Sequence, residues 1–149
     1  MKRLAIAASA AALTLAINAQ AFEVYTDYTF SKEVWNVTMV KVNPNRIDDY
    51  LEGLKQTWAS GCEISKKQGT VLDCFVYVSD TAANREFNML LVTKFPSAAS
   101  LDPNEAQFRA FQTEMRAKLA EDKQNQLVEG YEEFRTFAGE QNFRRIEFK

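Results

Sequence analysis

The sequence predicts a single α+β domain whose antiparallel sheet is covered by helices on one face. Three observations lead there. Segments of alternating apolar residues and segments of helical periodicity follow one another in the order β-α-β-β-α-β. The three clearest strands are apolar on both faces. No linker, repeat or low-complexity tract divides the chain, and one domain of about 100–150 residues is the ordinary size.

The chain begins Met1-Lys2-Arg3, followed by an uncharged, Ala- and Leu-rich run from Leu4 to Ala19. Asn18-Ala19-Gln20-Ala21 then places small residues at positions −3 and −1 of a cut after Ala21. This is the three-part pattern of a secretory signal peptide, and it is too short and too Ala-rich for a membrane anchor. The expectation is a signal peptide over 1–21, a mature domain over 22–149 and no membrane association after cleavage. Its style is bacterial, which points to secretion into the periplasm. Loss of Lys2 and Arg3 takes the formal net charge from −2 to −4. A mildly acidic chain without a basic run does not suit nucleic acid. The chain has no histidine, so His-based acid–base catalysis and His-ligated metals are excluded. No metal site and no cofactor are expected.

Lys32 to Val42 (KEVWNVTMVKV) alternates and is rich in β-branched residues, which predicts a strand. Trp35, Val37 and Met39 share one face; Val34, Asn36, Thr38, Val40 and Val42 share the other. Asn43-Pro44 is a helix start, with Asn43 as N-cap and Asp48 and Asp49 near the positive end of the dipole. Ile47, Leu51, Leu54, Trp58 and Cys62 recur at helical spacing, and Gly69 suits the position after the last turn. One helix is thus expected from Pro44 to about Lys67. Gly53 and Gly61 inside it mark either a close approach to the sheet or a kink near Ser60-Gly61.

Val71 to Ser79 and Phe87 to Phe95 read as two further strands joined by the polar connection Asp80 to Glu86, an antiparallel hairpin. Asp102-Pro103-Asn104-Glu105 predicts a second helix start, with Asp102 as the cap. Phe108, Phe111, Met115 and Leu119 carry its apolar stripe toward Val128. Gln141 to Phe148 is expected to be the closing strand.

Two helices cover only one sheet face. An uncovered apolar face marks an interface, and a second copy of the same face is the simplest cover, so a homodimer packed sheet against sheet is expected. The alternative is a monomer in which Phe22 to Phe30 folds over that face.

This element order, carried by VWNVTMVKVNPNRIDDYLEGLKQTW, KKQGTVLDCFVYVS and FNMLLVTKFP, resembles the ferredoxin-like, dimeric α+β-barrel superfamily. It looks like that superfamily's small secreted bacterial members of unassigned activity. The resemblance spans roughly Lys32 to Phe148. It implies a range of activities: cofactor-independent monooxygenases, haem-degrading enzymes, lactone isomerases and simple ligand binders. The haem-degrading members use a histidine, an asparagine on the first strand and a helical tryptophan. Asn36 fits that pattern, but Trp58 stands on the other helix and the histidine is missing, so no haem is implied.

Asn36, Tyr50, Trp58 and Tyr77 are the residues that could line a pocket between sheet and helices; no catalytic residue is identified. Asp48-Asp49 and Glu132-Glu133 are adjacent carboxylates that do not face each other. Two functions follow. One is a secreted homodimer that binds a small apolar ligand or a protein. The other is a cofactor-independent monooxygenase or isomerase acting on a small aromatic or apolar substrate, which requires Asn36, Tyr50 and Tyr77 to converge on a cavity.

Cys62 and Cys74 are the only cysteines. An oxidising compartment permits a disulfide between them. Against it, a straight helix runs about 10 Å from Cys62 to Gly69 and a returning strand about 16 Å to Cys74, leaving the pair out of level. Bridged or buried and free, the two readings turn on whether the first helix continues past Gly61.

Overall fold

The computed structural model describes residues 21–80 and 86–149. The expected signal peptide therefore lies outside the described residues except for Ala21, as does the middle of the connection at 81–85. In chain order the elements are β1 (Tyr28–Phe30), β2 (Val34–Val42), a 3-10 turn (Pro44–Arg46), α1 (Ile47–Leu54), a π-helical turn (Lys55–Ala59), α2 (Ser60–Lys67), β3 (Asp73–Val78) and β4 (Met89–Phe95). A second 3-10 turn (Ala98–Leu101), α3 (Glu105–Lys118), α4 (Glu121–Glu132), β5 (Arg135–Phe143) and β6 (Ile146–Phe148) complete it. Among the described residues no helix is long and apolar enough to cross a membrane.

The main sheet has the order β3-β4-β2-β5 with every pair antiparallel. With a helical layer after β2 and another after β4, this is the ferredoxin-like arrangement. The helix-side face brings Val40, Val42, Met89 and Leu91 against Tyr50, Leu54 and Tyr131, which form the core cluster. The opposite face carries Trp35, Val37 and Met39 of β2 beside Leu90 and Val92 of β4 and Phe75 and Tyr77 of β3. Trp35 and Phe75 stack at 6.0 Å across it, and Tyr77 is 52% exposed.

The first helix starts as its sequence requires. The Asn43 side chain accepts from Asn45 N–H and Pro44 opens the turn. It ends at Gly69, whose φ of +72° favours glycine. There Gly69 N–H bonds Lys66 C=O and Thr70 N–H bonds Ser65 C=O, the paired bonds of a Schellman cap. The helix does not kink at Ser60-Gly61. The irregularity is the π turn just before, and both glycines serve helix-to-helix packing. A Cβ on Gly53 would fall 2.4 Å from the Tyr131 ring, and one on Gly61 would fall 3.2 Å from Phe111.

Three further expectations are corrected. The second helix is two helices, because Leu119 is extended (φ −146°, ψ 116°) between α3 and α4. Its cap is Asn104, whose Oδ1 accepts from Gln107 N–H, and not Asp102. The closing strand begins at Arg135 and not at Gln141. It is an edge strand against β2 with mostly exposed residues, so no alternation of apolar residues announces it.

The alternative in which Phe22 to Phe30 covers the open face does not form. β1 pairs instead with β6, Tyr28 opposite Phe148, in a separate two-stranded ribbon. Phe22 stacks on Tyr28 at 5.4 Å. The ribbon leaves the main sheet at Ser31, whose N–H and Oγ bond the backbone of Arg145.

Candidate binding cleft

The π turn sets one wall of a cleft between the helices and the sheet. It begins where the Thr57 hydroxyl donates to the Gly53 carbonyl at 3.0 Å. With that proton used, Tyr131 donates its own to Thr57 Oγ1 at 3.1 Å. Bare Gly53 lets the Tyr131 ring approach closely enough for this bond. Burial pushes the Tyr131 phenol pKa above its ordinary value. The extra residue of a π turn also swings Trp58 into the cleft, beside Leu54 and Val128.

The other wall is the sheet. Thr38 and Leu91 form its floor, and β5 supplies Phe137, Gly139 and Glu140. Here the register matters. Met39 lies opposite Gly139, but Val40 lies opposite Phe137, so Ala138 is an extra residue and β5 is bulged. Side chains alternate along a strand, so a regular β5 that presents Glu140 to the helices would turn Phe137 and Arg135 away. The bulge resets the alternation and brings Arg135, Phe137 and Glu140 to one face. The cleft is open to solvent and its volume is about 700 Å³, within the range of about 300–1,000 Å³ that small-molecule sites occupy.

Two charged groups stand in this apolar cleft. The Arg135 guanidinium lies 4.4 Å from the Phe137 ring centre and 4.8 Å from that of Tyr131. Its Nη1 donates to Tyr50 Oη at 3.0 Å. Among the described residues no carboxylate lies within ion-pair distance of it. Glu140 Oε1 accepts from Asn36 Nδ2 at 2.6 Å, and the same nitrogen donates to Asn142 Oδ1 at 3.0 Å.

Of the residues singled out in sequence, Trp58 lines the cleft directly. Asn36 serves it by holding Glu140. Tyr50 is fully buried and serves it by holding Arg135. Tyr77 does not belong: it stands on the opposite sheet face beside Phe75, at 6.2 Å. The convergence of Asn36, Tyr50 and Tyr77 on one cavity therefore does not occur. An unbroken alternation count cannot put Tyr77 on the same side as Asn36, because the register pairs Cys74 with Thr93, and Thr93 with Asn36, on the helix side. Arg135, Glu140, Thr57 and Tyr131 were missed. Helix and strand follow one another within a few residues from Tyr131 to Arg135, and the bulge comes directly after, so no periodicity marks Tyr131 or Arg135.

The cysteines lie beyond the π turn, Cys62 in α2 and Cys74 in β3. Cys62 and Cys74 are joined in a disulfide, with Cα atoms 6.4 Å apart. The helix runs on past Gly61, so the bridge does not need a break there. The strand starts only at Asp73, and Thr70 to Leu72 are spent crossing between layers rather than travelling back. That removes the expected mismatch in level. Lys66 Nζ reaches Asp73 Oδ1 at 2.7 Å across the same turn, and this bond holds the Asp73 carboxyl below the ordinary carboxylate range. A smaller hollow of about 400 Å³ adjoins the disulfide, and Thr57 and Trp58 separate it from the main cleft, lining both.

No family model matches the chain, and no curated protein matches it. Solved structures similar to it include HapK from Hahella chejuensis, at 13% identity and a TM-score of 0.46, covering 75% of this chain and 91% of that one. Another is a dimeric protein of unknown function and ferredoxin-like fold from Bacteroides fragilis, at 10% identity and TM-score 0.39, covering 80% and 99%. A third is SnoaB, a cofactor-independent oxygenase from Streptomyces nogalater, at 12% identity and TM-score 0.40, covering 76% and 92%. The fold assignment rests on the strand order and connectivity described above.

Proposed function

We propose that this protein is an exported homodimer that binds a small, largely apolar molecule in the cleft between the π turn and the sheet. The observation that carries the reading is the cleft itself. It is about 700 Å³, walled by Leu54, Trp58, Leu91, Val128 and Phe137, with Thr38, Thr57, Tyr131, Arg135 and Glu140 as its polar lining. Export to the periplasm is supported by the signal-like pattern of residues 1–21 and by a cysteine pair set at bridging distance. The homodimer is supported by the apolar sheet face that the chain's own helices leave open.

The binding test uses a neutral aromatic probe. Isothermal titration of 2-naphthamide into the purified protein is expected to show one saturable site per chain. Val128→Trp, which fills the cleft from a partly exposed helix position, is expected to weaken binding at least tenfold. Absence of binding to the wild type, or unchanged affinity in V128W, would overturn the reading.

A further inference from the structure

We infer that the ligand of this cleft carries a planar anionic group, a carboxylate, which docks on Arg135; the inference rests on the binding reading above. Arg135 stands partly buried among aromatic rings, and among the described residues no side-chain carboxylate pairs with it. Its position is nonetheless tightly specified. Phe137 and Tyr131 flank the guanidinium at 4.4 and 4.8 Å, and the Tyr50 hydroxyl holds Nη1. Among the described residues Nε and Nη2 have no hydrogen-bond partner. They form the edge of the fork that matches a carboxylate with two parallel bonds.

The bulge strengthens the argument. Its effect is to turn Arg135 and Phe137 into the cleft instead of toward the open sheet face, and bulges of this kind re-aim side chains next to binding sites. The one acidic group of the cleft does not compete. Glu140 lies five positions along β5, about 15 Å of extended strand, and is engaged by Asn36. The charges thus give the cleft a polarity, with an anion favoured at the Arg135 end and a hydrogen-bond donor at the Glu140 end.

The test compares 2-naphthoate with the isosteric 2-naphthamide by titration calorimetry. The wild type is expected to bind the carboxylate at least tenfold more tightly. Arg135→Met is expected to abolish that preference, read as the ratio of the two probes' affinities within the variant. Arg135→Lys, which keeps the charge but loses the fork, is expected to keep only part of it. Equal wild-type affinities for the two probes would overturn the inference and leave the binding reading intact. A preference that survives in R135M would also overturn it. Failure of both probes to bind would remove the binding reading itself and the inference with it.

Discussion

At the scale of single residues, much of this fold depends on side chains that stand in for backbone. Asn88 is the clearest case. Its Oδ1 accepts from Val42 N–H and its Nδ2 donates to Val42 C=O, both at 2.8 Å, so the amide extends the β2–β4 ladder past its last regular pair. Val42 is fully buried, and its backbone groups have no access to water. Asn88→Ala is expected to cost about 1–3 kcal/mol, the penalty of leaving buried polar groups unmade, read as a lowered urea midpoint. Two glycines offer a matched contrast. Gly53→Ala drives a methyl into the Tyr131 ring and is expected to cost about 1–3 kcal/mol. Gly130→Ala, in α4 with open space around it, is expected to stabilise by about 0.5–1 kcal/mol. A thermal melt that ranks the two alike would refute the helix-packing role given to Gly53. Sequence reasoning saw that Gly53 and Gly61 were anomalous in a helix, because propensity is local. It misassigned the neighbour, because which surface approaches a helix is decided by the whole fold.

At the scale of elements, the first helix and its turn into β3 were legible from caps alone: Asn43-Pro44 at the start, Gly69 at the end. The π turn was not, since it arises from the Thr57–Gly53 and Thr57–Tyr131 bonds, and Tyr131 is remote in sequence. The bulge in β5 escaped for a similar reason, because this mostly exposed strand carries no apolar alternation to read. The disulfide belongs to this scale as well. It staples α2 to β3 across a sequence separation of 12 residues. A closed loop of that order removes about 3 kcal/mol of unfolded-state entropy in the chain-entropy model. The variant with both Cys62→Ser and Cys74→Ser is expected to lose about 2–4 kcal/mol in urea unfolding. Reductant is expected to bring the wild type to the same midpoint and to leave the variant unchanged. A wild type indifferent to reductant would show that the bridge contributes nothing in solution.

At the scale of the molecule, the pattern that was most legible in sequence is also the one with the widest consequence: strands apolar on both faces. One face is accounted for by Tyr50, Leu54 and Tyr131. The other presents Trp35 and Phe75 stacked, Tyr77 half exposed, and Val37 at its centre opposite Val92. Lys94 on this face is paired with Glu33 at 2.7 Å and lies over the Trp35 ring, and the exposed Lys41 stands at the face's margin. A stable dimer needs about 800 Å² per partner, and a four-stranded face of this kind can supply it. Val37→Glu places a carboxylate at the middle of that face. In a monomer the change is a surface substitution with little effect on folding; in a dimer it buries two like charges against each other. Sedimentation equilibrium is therefore expected to give a dimer for the wild type and a monomer for V37E, with unaltered circular dichroism. Since the cleft opens on the other side of the sheet, V37E is expected to keep 2-naphthamide binding, which separates assembly from ligand capture. A monomeric wild type, or a V37E variant that stays dimeric, would show that this face is not the interface.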